Sequence, residues 1–564
     1  MGHLLWIPLL LVLAAPAPAG AGTLPDAEAR QVLADLLPSA GPERRARAQR
    51  RIAEASDARF AGPLIDLLRF PDSVEDLARG VTVLRSLGAP ALPASPDDAW
   101  EGMMIWYGQR SDLAAPPGYA QWKGALHAEV IDPRFREFFP NGVKTTLRVG
   151  EIVWGGVKVD GIPALVNPAT VPAARADYLG DEEPVFGASL NGEHRAYPLR
   201  ILDWHEMAND TVGGVPVALA YCTLCSAGIL FDRRVDGRTL EFGSSGFLYR
   251  SNKLMFDRQS RSLWNHLTGE PVVGELAGRD VRLRLLPVEL TTWGDWRRLH
   301  PATTVLSLDT GHERPYRVGA AYGRYFASPE TMFPVWRKSR LLPEKERVFA
   351  LYHEGLAKAY PLPALARAGG VVNDALGRHA VVVVRRDGVL RVALPADWQR
   401  VGRELRPQPA LRDANDLDLA LAHRILDRDP RLLRQLTAEM LLAMPTETRL
   451  ALLDERAPEG FPQSADPAAD PIFDPEFRNA VASRGLAGAT RAYLRGSHSF
   501  RRLDGDALVD ERGRRWAMME DALEGPGGER LARLPGHLAY WFGWFAFYPN
   551  TDVYGAAIDA ADPR

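Results

Sequence analysis

Both cysteines of this 564-residue chain lie three positions apart, in the stretch YCTLC that runs from Tyr221 to Cys225. A disulfide between such close neighbours constrains little of the chain, so the pair acts locally. Thiolates, imidazoles and thioethers suit copper best among the common metals, and zinc also accepts the first two. A C-x-x-C pair can also exchange with other thiols, or form a disulfide that fixes the end of a strand. The sequence leaves these three alternatives open but disfavours thiol exchange, because CTLCSAGILFDRRVDG continues into strand-like residues and shows no helix N-terminus.

Two histidines and a methionine could complete a metal site around the cysteine pair. The predicted ligands, with copper favoured over zinc and no other cofactor expected, are Cys222, Cys225, His205, Met255 and His266. Glu206 or Asp203 would be the carboxylate that orients the imidazole of His205. This set predicts a metal-binding or redox domain centred on YCTLC.

Two further functions are compatible with the same residues. In the first, Cys222–Cys225 is a structural disulfide in a non-catalytic binding or scaffold protein of the cell envelope. In the second, His205 and Glu206 serve a hydrolase, although HEMAN, which begins at His205, lacks the second histidine of the H-E-x-x-H metalloprotease motif. Whether the protein is an enzyme stays open, and the sequence identifies neither a substrate nor an oligomeric state.

An internal duplication distinguishes structural positions from functional ones. VFGASLNGEHRAYPL, from Val185, is matched by VFALYHEGLAKAYPL, from Val348, and LPVELTTWGDW, from Leu286, is matched by LPGHLAYWFGW, from Leu534. Positions common to both copies are best explained by folding. Polar positions found in the first copy alone are candidates for function, and these are His205, Glu206, Cys222, Cys225 and His266.

Turn-forming residues fill two places near the cysteines. Asn, Asp and Gly favour turns, so a structural turn is predicted at Asn209, Asp210, Gly213 and Gly214. FGSSGF, from Phe242, lacks the spacing of a nucleophile elbow and is predicted to be a turn between strands.

Periodicity divides the chain and predicts an α+β protein. Leu, Ile and Val at three- and four-residue spacing predict an N-terminal helical module, HEAT-like or a bundle. Short β-branched runs between Gly and Pro predict a mainly β body of two related units, the second interrupted by a helical insertion. The predicted segments are a signal peptide (1–21), the helical module (22–95), a linker and helical connection (96–142), the first β-rich unit with the CxxC site (143–330), the first part of the second unit (331–406), the helical insertion (407–480) and the C-terminal part of the second unit (481–564).

Composition and the N-terminal residues indicate where the protein acts. A charged fraction of 25% and a net charge of −3 are typical of globular proteins and argue against a nucleic-acid partner. The apolar run from Leu4 to Leu13 is typical of a secretory signal and is shorter than the roughly 20 residues that span a bilayer. We expect an exported protein, periplasmic or extracellular, without a transmembrane helix after signal cleavage. Its partner is unknown; an envelope protein held by the helical module is the class we consider.

Four stretches carry a resemblance to a known family: EIVWGGVKVDGIPAL, AYPLRILDWHEMANDTVGGVPVALAYCTLCSAGILFDR, FGSSGFLYRSNKLMFDRQSRSLWNHLTGEPV and LPVELTTWGDWRRLHPATTVLS. From about Val143 to Phe326, and more weakly in the C-terminal part, the chain resembles the domain-of-unknown-function family 3179. The family pattern includes His205, Glu206, Asn209, Asp210, Gly213, Gly214, Tyr221, Cys222 and Cys225. The resemblance implies an exported or membrane-associated protein of bacteria or archaea, and the family has no assigned activity to carry over.

Overall fold

The protein forms two compact units in the computed structural model. The first extends to Val143 and includes Leu147–Glu151, and the second comprises Lys144–Thr146 and the residues from Ile152 on. The structure describes residues 22–91, 96–181, 183–317, 319–322, 325–326, 328, 330–386, 398–401, 404–407 and 489–555. The predicted signal peptide and residues 408–480 of the predicted helical insertion lie outside these ranges. Within them, no helix has the length and apolar character needed to cross a membrane.

The first unit is helical, which confirms the predicted helical N-terminal region. Its α-helices are α1 (Asp26–Asp35), α2 (Pro42–Ala55), α3 (Ala61–Leu67), α4 (Val74–Ser86), α5 (Pro96–Gln109) and α6 (Tyr119–Val130). Helix α4 begins after Ser73, whose hydroxyl accepts the N–H of Asp76 at 3.1 Å. The apolar faces supply buried residues such as Ile52, Leu64 and Leu84, so the helical spacing read from the sequence builds this core.

The second unit is mainly β, as predicted. Strands of its first part are β1 (Ile152–Trp154), β2 (Leu165–Val166), β3 (Thr170–Pro172), β4 (Pro184–Leu190), β5 (Glu193–Pro198), β6 (Met207–Val212), β7 (Val215–Cys222), β8 (Ala227–Asp232), β9 (Arg234–Val235), β10 (Arg238–Thr239), β11 (Phe242–Tyr249), β12 (Asn252–Asp257), β13 (Leu263–Asn265), β14 (Pro271–Val273), β15 (Arg284–Leu286), β16 (Glu289–Thr292) and β17 (Thr304–Leu306). Helix α7 (Leu199–His205) connects β5 to β6, and α8 (Trp293–Leu299) follows β16.

The later part of the second unit repeats this alternation of hairpins and short helices. Its strands are β18 (Arg347–His353), β19 (Leu356–Pro361), β20 (Val371–Leu376), β21 (His379–Arg385), β22 (Trp398–Val401), β23 (Glu404–Pro407), β24 (Thr490–Leu494), β25 (Phe500–Asp504), β26 (Ala507–Asp510), β27 (Arg515–Met518), β28 (Ala522–Glu524), β29 (Arg530–Leu534), β30 (Gly536–Tyr540) and β31 (Asp552–Val553). Its helices are α9 (Leu362–Arg367) and α10 (Trp541–Phe545).

The strands form several sheets that pack around shared apolar cores. In the first part the orders are β1-β11-β12-β13-β14, β15-β8-β7-β6-β2 and β16-β4-β5-β17-β3. In the later part they are β30-β18-β19-β31 and β20-β21-β24-β29-β28-β27-β26-β25. One core contains Phe186 and Leu219 together with Phe349 and Val383, so the two parts bury apolar surface against each other.

Matching hydrogen bonds recur in the two parts. Strand β17 pairs parallel to β5, and β31 pairs parallel to β19 in the same way. The indole N–H of Trp296 donates to the Thr303 hydroxyl at 2.9 Å, and that of Trp544 donates to the Thr551 hydroxyl at 2.8 Å. In each part the same Trp-to-Thr bond ties the short helix after an outer strand to the loop that follows the helix.

Two turn predictions need correction. Asn209 and Asp210 lie inside β6 because the Asn209 side chain bonds across to Phe242, donating to its carbonyl at 2.9 Å and accepting its N–H at 2.8 Å. The predicted turn is formed by Gly213 and Gly214 alone, with φ of +55° and +74°, the left-handed conformation that a two-residue hairpin requires. FGSSGF is likewise part of strand β11 rather than a turn, since pairing with β1 and β12 overrides the weak strand preference of Gly and Ser.

Candidate functional site

The cysteine pair lies at the turn between β7 and β8. Cys222 is the last residue of β7, opposite Ala227 at the start of β8, and it forms a disulfide with Cys225. The N–H of Cys225 donates to the carbonyl of Cys222 at 3.2 Å, which closes the turn. A helix N-terminus, which lowers the thiol pKa in thioredoxin-like proteins, is absent at this turn, as the sequence indicated.

The two sulfur positions differ in their surroundings. Cys225 is fully buried, and its Sγ lies 3.1 Å from the carbonyl oxygen of Ser251. Gly543 covers it on another side, where a Cβ would approach the Cβ of Cys225 to 3.2 Å. Cys222 instead lines a pocket. Of the two cysteines only Cys222 lines this pocket, although it is also buried, with 5% of its surface exposed.

Backbone contacts hold the disulfide turn from two later segments of the chain. The hydroxyl of Tyr325 donates to the carbonyl of Leu224 at 2.6 Å, and the N–H of Tyr540 donates to the carbonyl of Cys225 at 2.8 Å. The ammonium of Lys345 lies 3.7 Å from the ring centre of Tyr325 and bonds to its carbonyl oxygen. The turn is thus fixed by partners that are distant in sequence.

The pocket beside Cys222 is small and has polar and aromatic walls. Its volume of about 70 Å³ is room for about two water molecules, at roughly 30 Å³ for each. Glu206 and Lys253 contribute charge, whereas Tyr322 and Phe542 contribute aromatic surface. A small polar group, such as the end of a thiol-bearing molecule, matches this space.

A buried ion pair lies in the pocket wall. The ammonium of Lys253 is 3.2 Å from Glu206 Oε2, 3.1 Å from the Glu206 carbonyl and 3.3 Å from the Tyr221 carbonyl. Burial lowers the pKa of Lys253, while the Glu206 carboxylate opposes this change. Glu206 ends α7 in the left-handed conformation, with φ of +53°, a backbone strain that such contacts must sustain. The pair is neutral overall, and it places the ammonium of Lys253 against the carbonyl of Tyr221, the residue that precedes Cys222.

Asp203 adds a second carboxyl group to this region. It lies three residues before Glu206, on the same side of α7, and is buried. Burial and the charge of Glu206 raise the pKa of Asp203 well above its usual range. Asp203 is therefore a carboxyl group that retains its proton at higher pH than an exposed aspartate.

His205 points away from this pocket. Nδ1 lies 2.7 Å from the carbonyl of Pro163, which can only accept, so Nδ1 carries the proton and Nε2 accepts from the Tyr316 hydroxyl at 2.5 Å. Burial lowers the pKa of His205 to about 4. Pro163 and Tyr316 therefore orient the imidazole, and this corrects the role predicted for Glu206 and Asp203. Successive helical residues turn by about 100°, which separates His205 from Glu206.

His266 and Met255 lie on the other side of the cysteines, in the core. Met255 packs in one apolar cluster with Cys222 and Cys225. Nε2 of the fully buried His266 lies 3.0 Å from the carbonyl of Ala220, and Nδ1 lies 2.7 Å from Oδ1 of Asn252. Burial lowers the pKa of His266 to about 3. A neutral ring donates from Nε2 to Ala220 and accepts at Nδ1, which requires the Asn252 amide to be turned so that its otherwise unpartnered NH2 group faces the ring.

The five predicted metal ligands are not assembled around one centre in this arrangement. Both histidines use both nitrogens in hydrogen bonds, and the sulfurs are joined to each other. Two groups of His, Asp and Glu with ligand atoms within 4.8 Å of one another occur in the described ranges, and neither includes these residues. Copper binding stays a prediction.

Lys253 is the site residue that the sequence did not reveal. It stands in β12 between Asn252 and Leu254, where a single lysine is typical of a solvent-facing strand position. The predicted duplication could have pointed to it: if Asp257 corresponds to Asp510, Lys253 corresponds to Asp506, and the lysine would belong to the first copy alone. Nothing in the sequence indicates that Tyr322 and Tyr325 belong to the site, because the segment that carries them follows no strand or helix pattern.

Comparison with known proteins identifies the family of this region and no activity. Residues 159–426 match the model of a family described as "Protein of unknown function (DUF3179)", which confirms the resemblance found in the motifs. The matched range contains the disulfide, Glu206 and Lys253. No curated protein and no solved structure matches the chain.

Proposed function

We propose that the second unit carries a thiol–disulfide exchange site, in which Cys222–Cys225 is the redox group. One observation carries the proposal: both cysteines are buried, at 5% and 0% exposure, but only Cys222 lines a pocket, whereas Cys225 is covered by Ser251 and Gly543. Exchange needs one sulfur that a thiolate can reach and one that leaves. A disulfide that only fixes a strand end has no need of a polar pocket beside one sulfur.

The reaction balances with two thiols of an external reductant. A thiolate attacks Sγ of Cys222, the S–S bond breaks, and the electron pair leaves on Sγ of Cys225, which takes up a proton. A second external thiolate then attacks the external sulfur of the mixed disulfide and releases Cys222, which is protonated in turn. The sum is one external disulfide and a protein dithiol that has gained two electrons and two protons. A substrate disulfide drives the same steps in reverse.

The surroundings suit both oxidation states. Sγ of Cys225 lies 3.1 Å from the Ser251 carbonyl, an acceptor for a thiol proton after reduction. Lys253 lines the same pocket as Cys222 and balances the charge of Glu206, whose carboxylate alone would disfavour a thiolate at Cys222. The closed loop has only four residues, so loop closure contributes about 2 kcal/mol, and the hairpin keeps its strand pairing when the disulfide opens.

Single-cysteine variants test the proposal. The Cys225→Ser variant keeps the thiol that lines the pocket and should form a mixed disulfide with glutathione disulfide, seen as a mass increase of the intact folded protein. The Cys222→Ser variant keeps only the thiol outside the pocket and should react far more slowly without denaturant. Equal rates, or reaction of neither variant until the protein unfolds, would identify a structural disulfide and overturn the proposal.

A charge-neutral variant at Lys253 tests the contribution of the buried charge, and a second lysine variant serves as its control. Lys253→Met, combined with Cys225→Ser, retains the length of the side chain and removes its charge, so the rate of mixed-disulfide formation near neutral pH should fall. Lys144→Met, which removes the charge of an exposed lysine outside the pocket, is the comparison and should leave the rate unchanged.

Copper binding is the second candidate, and it requires the reduced form. A disulfide sulfur is a poor ligand, whereas the two thiolates and the neighbouring Met255 offer the soft donors that Cu(I) prefers. Elemental analysis of the reduced protein and of a Cys222→Ser, Cys225→Ser variant distinguishes copper binding from thiol exchange. Copper that is bound by the parent and lost in the variant supports the metal site. Metal-free parent protein argues against the metal site and in favour of thiol exchange.

We also propose that the two parts of the second unit arose by duplication and that the protein is exported. Strand orders β16-β4-β5-β17 and β30-β18-β19-β31, with matching Trp-to-Thr bonds, support two copies, of which the first retained the polar site. The apolar N-terminal run supports export to a compartment where the disulfide persists. Detection of the disulfide form in an exported fraction of cells tests the second point.

A further inference from the structure

Two neighbouring hairpin turns bring a carboxylate and two imidazoles together, away from the cysteine pair. His353 and Glu354 stand at the turn between β18 and β19, and His379 begins β21 after the turn from β20. Their ligand atoms all lie within 4.8 Å of one another. The Nε2 of His379 is 3.0 Å from Glu354 Oε2, and the Nε2 of His353 is 3.9 Å from Glu354 Oε1.

These separations are close to those of a metal centre. Ligand atoms about 2.0–2.1 Å from a tetrahedral zinc ion are roughly 3.3 Å apart. One of the two measured distances is already in this range, and the other needs a movement of less than 1 Å from side chains that are half-buried or exposed. Two imidazoles and one carboxylate leave the fourth position of a tetrahedral ion to water.

A protein cation already stands at this place. The guanidinium of Arg378 lies 2.8 Å from Glu354 Oε2, and its Nε is 3.4 Å from Nε2 of His379. The Arg378 side chain is 80% exposed, so its ion pair contributes little and can be displaced. The position therefore attracts positive charge, and its present occupant is weakly held.

We propose that His353, Glu354 and His379 form a binding site for a divalent transition-metal ion of the zinc class. The site uses residues of the later part of the second unit, distinct from the cysteine pair, and it does not depend on the thiol exchange proposed above. The other group with close ligand atoms is formed by His498, Asp510 and Glu511; it is a weaker candidate because Asp510 already accepts bonds from Trp516 and Arg514.

Calorimetric titration of the oxidised full chain with ZnCl2, in a buffer that does not chelate metals, tests the site. The parent should bind one equivalent saturably, and both His353→Ala and His379→Ala should lose this binding. His312→Ala, which removes an exposed histidine elsewhere in the second unit, should retain it. Circular dichroism of each variant establishes that it is folded.

Arg378→Ala distinguishes a built site from a chance grouping of histidines. Removal of the competing guanidinium should tighten zinc binding about threefold, the factor that corresponds to a weak exposed ion pair. The proposal would be overturned by absence of saturable binding in the parent, by binding in either histidine variant as tight as in the parent, or by weaker binding after loss of Arg378.

Discussion

His205 and Glu206 are adjacent in the sequence, yet their side chains serve different parts of the molecule. His205 bonds to Pro163 and Tyr316, whereas Glu206 pairs with Lys253 at the pocket. Their residue types predicted that both could take part in metal binding or acid–base chemistry. The direction in which each side chain points depends on the residue at which α7 ends. At this scale chemistry is decided by hydrogen-bond partners, and the partners come from distant positions in the chain.

Neutral buried histidines predict a loss of stability in acid. The pKa of His266 is about 3 in the folded protein and about 6.5 when exposed, so its contribution is complete above pH 6.5 and declines as pH falls toward 3. The slope is about 1.4 kcal/mol per pH unit. Urea unfolding of the parent and of His266→Gln between pH 7 and 4.5 should show a shallower slope in the variant. Equal slopes would mean that His266 is charged in the fold.

Asn209 is expected to contribute strongly to stability through its buried amide. Asn209→Ala leaves the N–H and carbonyl of Phe242 without their partner and should lower the free energy of unfolding by about 3 kcal/mol. Asn373 makes the same pair of bonds to Phe500 but is exposed, so water replaces the amide and Asn373→Ala should cost less. Urea unfolding measures both; a larger effect at Asn373 would contradict the argument.

At the scale of elements, the sequence predicts a turn where the backbone preference of glycine dictates it. It does not predict a strand whose residues are held there by pairing with distant parts of the chain. Gly213 and Gly214 adopt the positive φ that glycine favours, so their turn was predicted. Asn209 has the local preference of a turn residue but lies in a strand because its amide bonds to Phe242. The helical start and the β body followed from periodicity, whereas the pocket could not be predicted, since it joins α7, β7, β11, β12 and a segment without pattern.

The two turn glycines are expected to differ in their tolerance of a side chain. A Cβ at Gly213 would collide with the carbonyl oxygen of Leu190, whereas a Cβ at Gly214 meets nothing within 4 Å. Gly214→Ala should therefore cost only the left-handed backbone penalty, about 1 kcal/mol. Gly213→Ala should cost several times more, measured by thermal unfolding of the two variants. Similar losses would show that the chain around Leu190 can move away.

At the scale of the whole second unit, a buried charge group joins its two parts. Glu289 of β16 contacts Arg491 of β24 and lies 3.3 Å from Arg533 of β29, and all three side chains are buried. The two arginines keep the pKa of Glu289 below its usual value despite its burial. Charges removed from water require such compensation, so these residues specify how the parts fit together.

Loss of the central charge should destabilise the unit strongly. Glu289→Gln leaves two buried guanidinium groups without a counter-charge and should lower the free energy of unfolding by about 3–5 kcal/mol. Glu524→Gln, which removes one partner of the exposed pair with Arg530, should change it little. Chemical unfolding followed by tryptophan fluorescence compares them. Equal small effects would show that water reaches the buried group.

The hydrogen bond from Tyr540 to Cys225 has a consequence for the time at which the disulfide forms. Tyr540 follows Cys225 by 315 residues, so the segment that covers the turn is made long after the cysteines. At about 5–20 residues per second, the ribosome needs roughly 15–60 s to reach it. Throughout that interval both thiols of the nascent hairpin are uncovered, and an oxidant that acts during synthesis meets Cys225 before the finished protein encloses it.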